Sequence, residues 1–338
     1  MIKNILHKIS LFLERAADMI WRRNRTGQVI EPYYGYSTPD EIVLRGRVLA
    51  ASAQRIAQAD QSWFTNLRQM VGLFLTSEVA DVEVRASDVT AKTDEEGYFT
   101  IRLPRPKGSG WIEVPAHLED QPETAVTCPV RISPEDAQFL VASDIDDTML
   151  KTGAYSVLKN LWTSLTGNAL TRVIFPDAIV LMNALAQNGR NPIFYVSSSP
   201  WNFHKFLSDV FAHAGLVRGP KFLRDLGLSE SQFITGTHGD HKSSAIDTIL
   251  ASNPSLPAIL IGDTGQHDAM IYLSAIRRHP GRIKTVILRE PGPGPNTEGK
   301  QAMAEIEAEG VQLLHGVNFK GMVDQIDLAD PSQDRERS

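Results

Sequence analysis

The chain has 338 residues, 42% of them hydrophobic and 22% charged, enough apolar material for real cores, which excludes wholesale disorder and a fibrous repeat. Lys plus Arg number 34 and Asp plus Glu 40, a net charge of −6 that argues against a nucleic-acid partner, whose phosphates need a basic surface. A single cysteine, Cys128, fits a reducing compartment, and no stretch approaches the roughly 20 apolar residues of a spanning helix, so the expected location is cytoplasmic.

In residues 1–26 the apolar Ile2, Ile5, Leu6, Ile9, Phe12, Leu13, Ala16 and Ile20 recur at spacings of three and four, which predicts an amphipathic helix. Residues 1–25 carry six basic side chains (Lys3, Lys8, Arg15, Arg22, Arg23, Arg25) against Glu14 and Asp18, a net +4. Two fates compete evenly: packing on the body, or peripheral binding of an anionic membrane surface, which Trp21 and the arginines favour.

Residues 27–133 form the second part. Residues 27–40, rich in Pro, Gly and Tyr, read as a linker or a first edge strand. Short β-rich runs follow, EIVLRGRVLA, DVEVRASDVTAKT, GYFTIRLP, GWIEVPAHL and TAVTCPVRI, the pattern of a β-sandwich. Residues 60–75 interrupt them with helical spacing. The run TDEEGYF resembles the hairpin of transthyretin-like or carboxypeptidase-regulatory β-sandwich domains.

From residue 134 to about 328 the pattern changes. Continuous apolar runs, FLVAS, PIFYVS, QFIT, AILIGD and KTVIL, alternate with helical stretches, which predicts an α/β fold with a parallel sheet buried on both faces. Residues 329–338 read as a frayed, disordered tail.

Ligands of such a sheet collect at the carboxyl ends of its strands. There the first run ends in Asp144, Asp146, Asp147 and Thr148, three carboxylates in four residues that call for a cation, and hard oxygen donors point to Mg²⁺. The second run ends in Ser197, Ser198 and Ser199, suited to an anion; Lys242 starts a helix after the third; Asp263 and Asp268 follow the fourth.

This ordered set, Asp144/Asp146/Thr148, Ser197, Lys242 and Asp263/Asp268, resembles the four motifs of the haloacid dehalogenase superfamily, whose fold is a Rossmannoid parallel sheet. The resemblance implies that Asp144 is the nucleophile of an aspartyl-phosphate and Asp146 the acid and base. It also implies that Mg²⁺ is held by Asp144, Asp263 and the backbone carbonyl of Asp146, with Asp268 holding the metal's water or orienting Lys242. Thr148, Ser197, Ser198 and Lys242 would bind phosphate. More closely, DIDDTMLKTG, YVSSSPWNF and LIGDTGQHDAMIY over residues 139–290 resemble the actin patch-associated phosphatidate phosphatases of fungi and their bacterial relatives. That family implies Mg²⁺-dependent hydrolysis of phosphatidate to diacylglycerol and phosphate. Ser198 departs from the family's usual Asn.

Only 27 residues (149–175) separate Thr148 from the next helix, too few for a large cap, and an open site suits a bulky phosphoester. Another phosphomonoester, a soluble metabolite or phosphoprotein, is the alternative substrate, and a membrane or protein adaptor with a residual phosphatase fold is the alternative class. His238, His241 and His267 lack a zinc-ligand pattern. Trp201 and Phe203 read as core, and Cys128 as a buried small residue.

Overall fold

A computed structural model describes residues 27–50, 79–151, 174–224, 238–265, 267–292 and 294–326. The predicted N-terminal helix, the helical stretch 60–75, the run QFIT, most of the segment 149–175 and the tail lie outside them. None of the described helices is long and apolar enough to cross a membrane.

The first unit holds β1 (Gln28–Ser37), β2 (Glu41–Ala50), β3 (Glu83–Ala86), β4 (Val89–Lys92), β5 (Tyr98–Pro104), β6 (Gly110–Leu118) and β7 (Gln121–Ile132). The expected sandwich of two sheets is not what forms. The seven strands make one sheet, ordered β4-β3-β6-β7-β1-β2-β5, curled so that β4 and β5 at its two ends pack together. The reason is the parallel pairing of β1 with β7 at Gly35 and Val130, which joins the β1-β2-β5 meander to the β7-β6-β3-β4 group in one ladder. β1 is therefore interior, not an edge. Likewise TDEEGYF is not a hairpin between paired strands: β4 pairs with β3 and β5 with β2, and Gly97, at φ 81°, turns the chain between them.

Strict alternation fills the interior of this near-barrel. Ile42, Leu44 and Val48, Phe99, Ile101 and Leu103, and Cys128, Val130 and Ile132 all point inward. Burial pushes the Cys128 thiol up to about 12, so it packs as a small apolar residue.

The second unit is a six-stranded, wholly parallel sheet, as expected. Its strands β8 (Leu140–Asp144), β9 (Ile193–Pro200), β10 (Lys221–Arg224), β11 (Ala258–Asp263), β12 (Ile283–Arg289) and β13 (Gln312–Gly316) lie in the order β10-β9-β8-β11-β12-β13. Helices α1 (Pro176–Ala186), α2 (His204–Ala214), α3 (His238–Ser252), α4 (Asp268–Arg278) and α5 (Thr297–Ala308) complete it. Two clusters of buried apolar side chains cover the sheet's opposite faces. Val141 and Ile259 belong to one and their strand neighbours Leu140 and Leu260 to the other, so β8 and β11 are apolar throughout.

β10 and β13 were not among the predicted strands. KFLR is short and its ends are charged, yet Lys221 is 1% exposed, its ammonium donating to Ser208 Oγ at 2.9 Å and lying over the Tyr34 ring. The half-exposed QLLHG closes the other edge beside β12.

The two units share packing. Tyr36 and Val43 of the near-barrel enter one core of the parallel sheet, and Ser133 Oγ donates to Asn253 Oδ1 at 2.7 Å.

Candidate active site

The strand order reverses between β8 and β11: β9 and β10 lie on one side of β8, and β12 and β13 follow β11 on the other. The crevice at the carboxyl ends of these two central strands is where open α/β sheets take ligands. Asp144 ends β8 and Asp263 ends β11, so their carboxylates meet there, 1% and 0% exposed.

Asp268, the first residue of α4, brings a third carboxylate. One oxygen from each of Asp144, Asp263 and Asp268 lies within 4.8 Å of the others. Asp268 also caps the end of β11, its Oδ2 accepting from the Asp263 amide at 3.1 Å. This approach requires a glycine at 262, because a Cβ there would stand 2.5 Å from Asp268 Oδ2 and 2.7 Å from the Tyr272 hydroxyl. Tyr272 is buried below, donating from its hydroxyl to the Ile261 carbonyl at 2.7 Å.

Lys242 reaches in from α3. Its ammonium, 4% exposed, stands 2.6 Å from Asp144 Oδ1 and donates to Asp268 Oδ1 at 2.6 Å. Burial alone would lower its pKa, but the Asp144 and Asp268 carboxylates outweigh this and hold it above the ordinary lysine value. For Asp144 the balance is opposite. Burial pushes its carboxyl well up, Lys242 opposes this, and Asp268 and Asp146 add to it. Asp263 is pushed up to about 7, by burial first and by Asp268 second, with Lys242 opposing.

Three clustered carboxylates with one ammonium leave negative charge in a dry site. Asp144 Oδ2 is buried and accepts no hydrogen bond among the described residues, an expensive state unless a cation is to hand. Hard, anionic oxygens at this spacing fit a divalent cation such as Mg²⁺.

After β8 the chain turns sharply. Ile145 carbonyl accepts from the Met149 and Leu150 amides at 2.9 and 3.0 Å, and Asp147 takes a left-handed φ of 60°. This carries Asp146 sideways, away from the three-carboxylate group and toward β9. There Ser197 Oγ donates to Asp146 Oδ2 at 2.6 Å, and Ser199 Oγ does so at 3.4 Å. The Ser199 amide in turn donates to Ser197 Oγ at 2.9 Å. Burial raises the Asp146 pKa, the Ser197 bond and Lys242 opposing it.

Residues 197 and 199 share one face of β9, so strand alternation turns half-buried Ser198 to the other. Thr148 is 0% exposed, with a hydroxyl that has no hydrogen-bond partner among the described residues. Its carbonyl accepts from Arg289 Nε at 3.1 Å. That arginine is gripped by the Phe175 and Phe319 rings and by Asp177, 2.8 Å away. His241, its pKa lowered by burial, lies 3.4 Å from the Phe222 carbonyl; the side chain of His238 is outside the described residues, and His267 takes a left-handed φ before α4.

Residues 139–290 match the family model for the catalytic domain of phosphatidate phosphatase APP1. This segment is similar to the APP1 catalytic-domain family. Phosphatidate phosphatase APP1 of Saccharomyces cerevisiae (strain ATCC 204508 / S288c) is 26% identical to it over 147 residues, 44% of this chain and 25% of that protein. The chain thus spans about a quarter of the length of the curated relative it matches.

Among solved structures, a point mutant of the PilB minor pilin from Streptococcus sanguinis overlaps 93% of this chain and 79% of its own at 10% identity and a TM-score of 0.29. A point mutant of ferredoxin-NADP⁺ reductase from Plasmodium falciparum overlaps 85% and 95% at 8% identity and a TM-score of 0.19. Overlaps of that quality establish no common fold.

The APP1-type segment begins at Phe139, beside β8, and ends at Glu290, just past β12, so it contains every site residue expected from the sequence. Within it, Tyr272, Gly262 and Arg289 take part in the geometry without having been singled out from the sequence. Gly262 carried a signal, since a glycine directly before a strand-ending aspartate marks a close approach.

Proposed function

We propose that this chain is a Mg²⁺-dependent phosphatidate phosphatase that releases diacylglycerol and phosphate through an aspartyl-phosphate on Asp144. The reading rests above all on one observation. Asp144, Lys242, Asp263 and Asp268 converge, all buried, at the reversal point of a parallel sheet within an APP1-type catalytic domain. The same arrangement supports a haloacid dehalogenase-like Rossmannoid fold for a catalytic unit spanning residues 134–328, with residues 27–133 as a separate β unit.

Each residue has a role consistent with its surroundings. An Asp144 oxygen attacks phosphorus as the bond from phosphorus to the glycerol oxygen breaks. The leaving oxygen takes a proton from Asp146, whose raised pKa keeps it available as a carboxylic acid. The resulting Asp146 carboxylate, steadied by Ser197, then draws a proton from the water that attacks the phosphoenzyme, freeing phosphate and restoring Asp144. Lys242 opposes the burial that raises the Asp144 pKa and offers positive charge to the phosphoryl oxygens, which Thr148 and Ser197 also serve, while Ser198, on the opposite face of β9, is left only its backbone amide for that part. Asp144, Asp263 and Asp268, with the Asp146 carbonyl, would hold Mg²⁺, which when bound supplies the charge that offsets repulsion between carboxylate and phosphate. The basic, amphipathic pattern of residues 1–25 supports peripheral binding to an anionic membrane surface, where the substrate resides.

The test is a substrate panel on purified protein: phosphate release from phosphatidate in detergent micelles, from a sugar phosphate and from a phosphopeptide, with Mg²⁺ and with EDTA. The expected result is the highest kcat/KM on phosphatidate and loss of turnover in EDTA. Preference for a soluble substrate would overturn the substrate, and turnover unaffected by EDTA would overturn the metal.

A further inference from the structure

The alternation of β2 leaves a question. Ile42, Leu44 and Val48 fill the near-barrel, so Arg45 and Arg47 point to its outside, where charges ordinarily meet water. Here they meet the catalytic unit instead, and Arg47 is only 3% exposed.

Both arginines converge on one short stretch, Trp201 to His204. Arg47 Nη1 donates to Asn202 Oδ1 at 2.9 Å, while its Nε is anchored within its own unit on the Glu96 carbonyl at 2.7 Å. The Arg45 guanidinium lies 5.0 Å from the centre of the Trp201 ring and donates to the Tyr34 and Lys221 carbonyls. Tyr33 stacks on Trp201, centroids 4.7 Å apart and planes 12° from parallel. The Tyr34 amide donates to His204 Nε2 at 3.3 Å, and His204 is kept neutral because burial first, then Lys221 and Arg45, press its pKa well down.

This stretch is the continuation of β9. Only Pro200, with φ −69°, and Trp201 separate Ser199 from Asn202, and Ser199 is bonded both to Ser197 and to Asp146. Proline's ring removes one of the few torsions that could absorb a displacement.

From these contacts we infer that the β unit is a positioning device for the Ser197–Ser199 segment. Arg47, Arg45 and Tyr33, acting through Asn202 and Trp201, hold that segment against Asp146, so the reaction requires the near-barrel though none of its described residues touches the reacting atoms. The inference rests on the proposed role of Ser197 and adds to it the part played by residues 27–133. The grip is at Asn202 and the effect at Ser197. Displacements of even about 1 Å in such groups cost on the order of a hundredfold in rate.

The test is a double-mutant cycle in the full chain with Mg²⁺, on p-nitrophenyl phosphate and on phosphatidate micelles, combining Arg47→Met with Ser197→Ala. Arg47→Met is expected to lower kcat about tenfold, and by less than about threefold when Ser197 is already Ala, because two changes acting through one group do not add. Asn202→Ala approaches the same contact from the catalytic side and should reproduce the effect if Arg47→Met folds poorly. Ser133→Ala removes an inter-unit contact remote from β9's end, to Asn253, and should leave kcat unchanged. Amide hydrogen exchange supplies a readout independent of turnover: residues 196–203 should exchange faster in Arg47→Met and Asn202→Ala, and residues 140–144 should not. Fully multiplicative rate effects, or unchanged exchange over 196–203, would overturn the inference. A wild-type protein that turns over neither substrate would instead overturn the proposed function, while the exchange data would still decide the mechanical link.

Discussion

Replacing Lys242 by Met tests the charge balance of the site. The ammonium stands 2.6 Å from an oxygen of Asp144 and from one of Asp268, all three groups at most 4% exposed. At an effective dielectric of about 20, each contact is worth roughly 6 kcal/mol of Coulomb attraction, most of which offsets the cost of burying the ions. Removing one member of such a set leaves the others uncompensated, at a net cost of about 3–5 kcal/mol. For a unit of this size that lowers Tm on the order of 10 °C. The loss depends on conditions in a way a packing defect would not. Without Lys242 the Asp144 carboxyl, already raised by burial, binds its proton more tightly still in the native state, so the destabilisation shrinks at pH 5.5 relative to pH 8. A divalent cation should offset it similarly. Thermal unfolding at both pH values, in EDTA and in Mg²⁺, measures all of this. A loss below about 1 kcal/mol, equal at the two pH values and indifferent to Mg²⁺, would refute the reasoning.

Three further outcomes follow from neighbouring residues. Asp263 is near 3.8 when unfolded and about 7 when folded, so the native state holds the proton more tightly; in EDTA, stability should fall as pH rises from about 4 to about 7, by up to about 1.4 kcal/mol per pH unit, and urea unfolding of Asp263→Asn should show a flatter profile. Gly262→Ala drives a methyl against Asp268 and Tyr272, which should cost about 1–3 kcal/mol in denaturant unfolding and weaken divalent-cation binding measured by calorimetry. Ser197→Ala removes a bond that favours the Asp146 carboxylate, so the limb of the kcat/KM pH profile belonging to Asp146 should move to higher pH.

Much of this site was legible because its residues end apolar runs. Asp144, Ser197 and Asp263 each close or nearly close a buried strand, and the spacing from Asp263 to Asp268 spans the turn into α4. What was hidden depends on tertiary partners. KFLR has no apolar run long enough to stand out, with Lys221 and Arg224 at its ends, yet Ser208 and Tyr34 receive the lysine in the interior and the segment forms β10. The place of Arg45 and Arg47 was hidden too, because nothing in a single strand reveals that another unit covers its outer face. The parallel pairing of β1 and β7, which turns two sheets into one, joins residues some 95 positions apart and leaves no local mark.

The most direct measurement of the central claim is phosphate release from phosphatidate micelles by the wild-type protein and by Asp144→Asn, with Mg²⁺ and matched circular dichroism. Loss of turnover by at least about a thousandfold in a folded variant is the predicted result. An Asn variant that retains turnover within about tenfold would contradict Asp144 as the nucleophile.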